Sequence, residues 1–294
     1  MSTAERSTPD PSLRVAERLR GIACIVTGAA QGIGFETARE LARLGGSVGI
    51  VDLDADSARL AARSIAQEFG ARTHWAVGDV TDEQMIGRGF AEIAAEIGEV
   101  GVLVNCAGIM TPRLVPLTEM KTAEFETMLA VHVTGTFLCS RAVLPSMQRA
   151  GYGRIINIAS VLGVLGLPFR VGYGTAKTAI IGFTRAVAVE TARQGITVNA
   201  VAPGYILTKI LQERVEAGMI DYARLAERAP AGRWGLPEEV ARVIGFLALP
   251  GSGFITGSVI PIDGGYTIRG DPDEDIGSRP ESLDAIRELL RVRT

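Results

Sequence analysis

The chain has 294 residues, 47% of them hydrophobic, and a formal net charge of −3 at pH 7, enough material for one large α/β domain with a sizeable core. Acidic and basic residues are interspersed, which leaves no basic stripe for nucleic acid and no polybasic segment for a membrane surface. A small-molecule ligand is expected. No apolar run approaches the roughly 18 to 20 residues of a membrane span, and residues 1–20 lack the apolar centre of a secretory signal, so a cytoplasmic location is expected.

Cys24, Cys106 and Cys139 are widely spaced in apolar segments without a C-x-x-C pair, which predicts buried, reduced thiols. The only two histidines are His74 and His132, so no metal-ligand cluster stands out.

Residues 1–20 are polar, carry Pro9 and Pro11, and read as a tail. The first β-prone run, 22–26, leads into Thr27-Gly28-Ala29-Ala30-Gln31-Gly32-Ile33-Gly34 and then a helical pattern over 35–44. Glycines in such a turn let the backbone approach a pyrophosphate, and the helix N-terminus offers free N–H groups and partial positive charge. A structural strand-to-helix turn is the alternative. A second strand over 47–51 ends at Asp52, 18 residues past Gly34, the spacing of a carboxylate that accepts from the adenosine ribose. Neither Gln31 nor Leu53 supplies a cation for a 2′-phosphate, so NAD is favoured over NADP. Asp52 could equally cap the helix predicted over 57–69, as could Asp54 and Asp56.

A third strand over 73–77 precedes Gly78-Asp79-Val80, and 81–84 fits a capping box opening a helix to 97. Asp79, at a strand's carboxyl end, either meets the adenine or is a loop aspartate with no ligand. The fourth strand, 102–104, ends in Asn105-Cys106-Ala107-Gly108, whose small residues would admit the cofactor's ribose and nicotinamide. A long helix follows over 121–148, and then a fifth strand over 154–159 with Ser160 at its carboxyl end.

A glycine-interrupted apolar loop over 163–170 delivers the chain to Tyr173-Gly174-Thr175-Ala176-Lys177 on a helix reaching 194. Tyr173 and Lys177 are four residues apart and share a helix face. An ammonium beside a phenol favours the phenolate, making Tyr173 a candidate general acid/base. A sixth strand over 196–201 runs into Pro203-Gly204. Residues 205–233 are loosely patterned and read as a mobile cover, Pro237 opens a helix ending before Pro250, and 258–262 is the seventh strand.

The alternation without a linker predicts one Rossmann-type, doubly wound parallel sheet of about seven strands. The domain is placed at 21–268, followed by an extension over 269–294 with a short helix over 283–292.

Taken together, the T-G-x-x-x-G-x-G turn, Asp79, Asn105-Cys106-Ala107-Gly108, Ser160, Tyr173 with Lys177, and Pro203-Gly204 resemble the short-chain dehydrogenase/reductase family, in its 3-oxoacyl-acyl-carrier-protein-reductase-like part. The resemblance covers roughly 21–266. It implies an oxidoreductase moving hydride between NAD(H) and a secondary alcohol or ketone, and a homo-oligomer, tetramer or dimer. Tyr173 would carry the proton, and Ser160 would hold the substrate oxygen. Lys177 would hold the nicotinamide ribose and lower the phenol toward 7, a shift of about 4 kcal/mol. Cofactor contacts are implied for Gly28, Gln31, Gly32, Ile33, Gly34, Asp52, Leu53, Asp79, Val80, Asn105, Ala107, Gly108, Tyr173, Lys177, Pro203, Gly204, Ile206 and Thr208.

One position departs from the family pattern. His132 stands where asparagine is usual, in Val131-His132-Val133-Thr134-Gly135. It could serve in the proton relay beyond Lys177, protonating near neutral pH; it could be a tolerated change with slower turnover; or it could mark a site that binds cofactor but barely turns over. An NAD-binding scaffold or sensor, and a non-redox dehydratase or epimerase, are the competing functions. Val161, Leu162, Val164, Leu165, Leu167 and Phe169, with Tyr205, Ile206, Leu211 and Met219, predict an apolar pocket for an alicyclic or long-chain alcohol, with core packing as the alternative for much of the set. Arg170 could meet an acidic substrate group or be a surface cation.

Overall fold

The computed structural model describes residues 19–111 and 113–270; residues 1–18 of the predicted tail and the helix over 283–292 lie outside them, while Leu19, assigned to the tail, is buried in the core. Seven parallel strands form one sheet in the order β3-β2-β1-β4-β5-β6-β7: β1 (Ala23–Thr27), β2 (Ser47–Asp52), β3 (Thr73–Val77), β4 (Val100–Asn105), β5 (Gly153–Ile158), β6 (Ile196–Pro203) and β7 (Val259–Ile262). The central strands are apolar runs because helices cover both of their faces. Every residue of β1, β4 and β6 is buried.

Helices α1 (Gly32–Arg43), α2 (Ala55–Phe69) and α9 (Pro237–Ala248) contribute to the core on one face. Helices α3 (Glu83–Ile97), α5 (Gly135–Ala150) and α6 (Val171–Thr191) contribute to the core on the other. Strand order reverses between β1 and β4, so a crevice opens at their carboxyl ends, where ligands bind in open parallel sheets.

The helix predicted over 121–148 is present but not uniform. It comprises α4 (Thr122–Leu129), a π-helical turn at Ala130–Thr134 and α5. By length and composition alone the whole of Thr122–Ala150 could cross a membrane, contrary to the expectation that no segment would. Met128, Leu138, Cys139, Val143 and Met147 are buried in the core, which accounts for the apolar composition.

Two local expectations are corrected. The cap of α3 is Asp82, which accepts from the Met85 N–H at 2.9 Å; Thr81 is held instead by Asp79. Residues 205–233 are not a loose cover. They form α7 (Lys209–Glu216) and α8 (Tyr222–Arg228), capped by Thr208 and Asp221, with Trp234 stacked on Tyr205 and Tyr222 at 5.4 and 5.0 Å between ring centres.

A buried cation ties the end of the domain to its middle. Arg154 on β5 is 4% exposed and donates to the carbonyls of Gly153, Gly195, Leu249 and Pro250. Its guanidinium lies 4.4 Å from the centre of the Tyr152 ring, which replaces part of the lost hydration.

Candidate active site

The crevice is a cleft of about 740 Å³ running from the glycine turn to Tyr173. Its glycine end is built by exclusion. Gly28 has φ +63, and a Cβ there would meet Ala107 Cα at 2.7 Å; a Cβ on Gly34 would meet the Gly28 carbonyl at 2.2 Å. Gln31, at the N-cap of α1, makes no side-chain cap hydrogen bond, so the first-turn N–H groups remain available to an anion.

Asp52 and Asp79 flank this end of the cleft. Asp52 accepts from the Ala30 N–H at 3.0 Å and so ties the glycine turn to β2. It does not cap α2: Asp54 does, accepting from Ser57 N–H at 3.0 Å. Asp79 holds Thr81 through one carboxylate oxygen. The sequence argument gave Thr27 no role of its own, yet its hydroxyl accepts from the N–H groups of Cys106 and Ala107 at 3.2 and 3.1 Å. It thereby pins the end of β4 to the start of the glycine turn.

Gln31, Gly32, Ile33, Leu53, Val80, Ala107, Gly108, Ile206 and Thr208 all line the cleft, as expected. Asn105, Pro203 and Gly204 do not form part of its lining. Asn105 is buried, and its amide donates to Asn157 Oδ1 at 2.8 Å and Ser140 Oγ at 3.1 Å. Asn157 in turn donates to Thr184 Oγ1 at 2.9 Å. The chain of polar groups joins β4 and β5 to α5 and α6 on one face of the sheet, so Asn105 braces the site from behind. Gly204 faces Asp263, whose Cα would lie 3.0 Å from an added Cβ.

At the other end, Tyr173 and Lys177 rise from α6, and Ser160 follows β5 in extended backbone. Lys177 is 5% exposed and donates to the Ile158 carbonyl at 2.7 Å; burial lowers its pKa to about 8. Tyr173 differs from expectation. Its phenol stands above the ordinary value of 10, not near 7, because burial outweighs the opposing effects of the Ser160 hydroxyl and the Arg170 charge. Lys177 Nζ lies 5.5 Å from the Tyr173 ring centre, and the Ile158 carbonyl holds it there.

His132 sits in the π-helical turn, 2% exposed. Its Nε2 lies 2.9 Å from the Ile109 carbonyl and 3.4 Å from the Ile109 N–H, while its buried Nδ1 has no hydrogen-bond partner. The ring meets Tyr173 edge-on at 5.4 Å. A Cβ on Gly108 would meet His132 Cε1 at 2.6 Å, so this histidine requires that glycine. Burial, then the Lys177 charge, lowers its pKa to about 3. The expectation of an imidazole protonating near neutral pH is therefore corrected: a buried ring beside a cation stays neutral.

The cysteines are free. Cys24 and Cys139 are buried as expected, whereas Cys106 is half-buried on the cleft wall; desolvation raises all three thiols, Cys106 and Cys139 to about 12. Of the predicted apolar pocket, Leu162, Tyr205, Ile206 and Leu211 line the cleft, joined by Ile109, Met110 and Ile210. Val161 packs in the core with Ala229 and Tyr266. Val164, Leu165 and Leu167 border an adjoining cavity that shares Leu162 and Arg170 with the cleft, and Phe169 and Met219 are exposed.

The cleft that runs from the glycine turn to Tyr173 and Lys177 has counterparts among known proteins. Residues 28–267 match the family model described as enoyl-(acyl carrier protein) reductase. The chain is 42% identical over 245 residues to cis-4-hydroxycyclohexanecarboxylate dehydrogenase of Sinomonas cyclohexanicum, covering 83% of this chain and 95% of that one. It is 38% identical over 251 residues to the 3-oxoacyl-(acyl-carrier-protein) reductase of Aquifex aeolicus, covering 84% and 98%. A gluconate 5-dehydrogenase from Burkholderia cenocepacia, solved with NADP and tartrate, superposes with a TM-score of 0.81 at 33% identity, covering 88% and 100%. The protein belongs to the short-chain dehydrogenase/reductase family, in its 3-oxoacyl-acyl-carrier-protein-reductase-like part.

Proposed function

We propose that the protein is an NAD-dependent oxidoreductase interconverting a secondary alcohol of largely apolar character and its ketone. The observation that carries this reading is the cluster of Ser160, Tyr173 and Lys177 beyond the carboxyl end of β5: Ser160 is buried and hydrogen-bonded to Tyr173, and Tyr173 and Lys177 line a cleft whose other end is a glycine cradle. The cradle fits a dinucleotide: Gly28 and Gly34 let the turn pack closely on Ala107 and on itself, and the uncapped first turn of α1 leaves N–H groups for a pyrophosphate.

When bound, the nicotinamide supplies the hydride acceptor or donor. The protein's part is the proton and the alignment. Tyr173 Oη exchanges the carbinol proton, and Ser160 Oγ hydrogen-bonds the substrate oxygen at the same point. Lys177, anchored on the Ile158 carbonyl, directs its remaining N–H donors toward the cofactor ribose. His132 is a neutral brace that fixes Ile109 and the edge of the Tyr173 ring.

NAD is favoured by the Asp52 carboxylate on the cleft wall, which repels a 2′-phosphate. Apolar substrate character is supported by Ile109, Met110, Leu162 and Leu211 on the wall, and by the alicyclic alcohol named for the Sinomonas relative. A homo-oligomer is supported by Phe137 and Val189 on the outer faces of α5 and α6 and by Phe246 and Phe254 at and after α9, all exposed. The deciding experiment follows nicotinamide absorbance with NAD and NADP across alicyclic and long-chain secondary alcohols and ketones. Turnover with NAD that vanishes in Tyr173→Phe is the expected result. Cofactor binding without hydride transfer to any of these compounds would overturn the reading.

A further inference from the structure

Arg170 is a cation with no role in holding the fold together. It lines the cleft together with Leu162 and Tyr173, three residues before the tyrosine, and its charge reaches the phenol. Yet among the described residues it has neither an ion-pair nor a hydrogen-bond partner for its side chain. Of the other cationic side chains on the cleft, Lys177 is tied to the Ile158 carbonyl, and Lys209 stands next to Thr208 toward the glycine end, away from the tyrosine.

Two further observations show that this placement is costly in itself. Arg170 is the N-cap of α6, a helix of 21 residues, with no side-chain cap hydrogen bond. A cation there opposes the helix dipole, whose N-terminus favours an anion. The preceding residue, Phe169, has φ 64 and is the one non-glycine residue of positive φ among those described, a strained conformation for a bulky side chain. The chain is thus turned against its own preference to bring a guanidinium to the cleft wall. Arg170 and the free first-turn N–H groups of α6 together make a site for negative charge, bordered by apolar Leu162.

We propose that Arg170 binds the carboxylate of the substrate, so that the enzyme acts on hydroxy or oxo acids whose carbinol and carboxylate are separated by a short apolar body. The inference rests on the oxidoreductase reading above and gives it a substrate class. Arg170 caps the helix on which Tyr173 stands three residues later, and its charge reaches the phenol. A small hydroxy or oxo acid with a six-membered ring, or a chain of similar span, would meet both groups at once. Arginine's planar fork suits a carboxylate, and the charge-assisted pair is strong in a partly dry cleft.

Calorimetry of the full chain with NAD bound, titrated with cyclohexanecarboxylate and with cyclohexanecarboxamide, tests the proposal. The acid is expected to bind roughly ten- to hundred-fold more tightly than the amide. Arg170→Met should abolish that preference by weakening the acid far more than the amide, and Arg170→Lys should retain part of it. Equal binding of the two ligands, binding of neither, or a preference that survives Arg170→Met would overturn the proposal. Rates with NADH on 4-oxocyclohexanecarboxylate and cyclohexanone separate it from the reading beneath it. Turnover of both ketones with no advantage for the acid overturns the carboxylate site and keeps the oxidoreductase. A calorimetric preference in a protein that transfers no hydride keeps the anion site and overturns the oxidoreductase.

Discussion

At the scale of single residues, Tyr173 is the group to which the proposed reaction assigns the proton, and its environment holds that proton on. Burial raises the phenol above 10, so the protein itself disfavours a standing phenolate. Tyr173→Phe should lower kcat by roughly 10²- to 10⁴-fold while NADH affinity, read by fluorescence titration, stays within a few-fold of the parent. Asp52→Asn should shift cofactor preference toward NADP by roughly ten-fold, given that the lost repulsion is on the order of 1.4 kcal/mol; equal NAD/NADP ratios of kcat/KM in variant and parent would remove Asp52 from the cofactor argument. His132 gives a sharper test. With its pKa near 3, His132→Asn should leave the shape of the rate profile between pH 6 and 9 unchanged. The acid side of stability should change instead. The folded pKa lies below the unfolded value of about 6.5, so the unfolded chain binds the extra proton. Stability from this group is complete above that value and falls by up to about 1.4 kcal/mol per pH unit as pH drops toward 3. Denaturant titrations at pH 7 and 5 should therefore show a smaller loss in His132→Asn than in the parent.

Among the elements, the glycine turn and α6 carried the most information in their residue types. Gly28, Gly34, Tyr173 and Lys177 stand where spacing placed them, because a tight turn and one helical repeat are local matters. The fate of Asn105 was not legible in this way. Its neighbours in the chain border the cleft, but its side chain turns toward Asn157 and Ser140, partners 52 and 35 residues away. Val161 and Val164 were equally opaque, one in the core and one on another cavity, since an apolar residue carries no mark of which surface it will meet. The π-helical turn at Ala130–Thr134 left no periodicity to read, being a single widened turn inside a regular helix. Gly34→Ala tests the legible part: its Cβ would fall 2.2 Å from a backbone oxygen. NADH affinity should fall by at least roughly ten-fold, with helix content by circular dichroism retained.

For the whole molecule, the cleft crosses the point where strand order reverses, so a bound cofactor touches both halves of the sheet. Saturating cofactor at about a hundred times Kd should add about 2.7 kcal/mol, roughly 5–10 °C in Tm for a domain of this size. Scanning calorimetry with and without NAD measures it, and an unchanged Tm would contradict a preformed dinucleotide site. Light scattering on the purified chain tests the exposed apolar faces at Phe137, Val189, Phe246 and Phe254, with a tetramer or dimer expected. The same level of description gives Arg154 a meaning beyond packing. Two of its four carbonyl partners, Leu249 and Pro250, lie about a hundred residues further along. During synthesis the guanidinium therefore emerges long before the groups that satisfy it. In a nascent chain ending before Leu249 two of those contacts fall to water, and the segment that supplies them is also the one that covers the guanidinium.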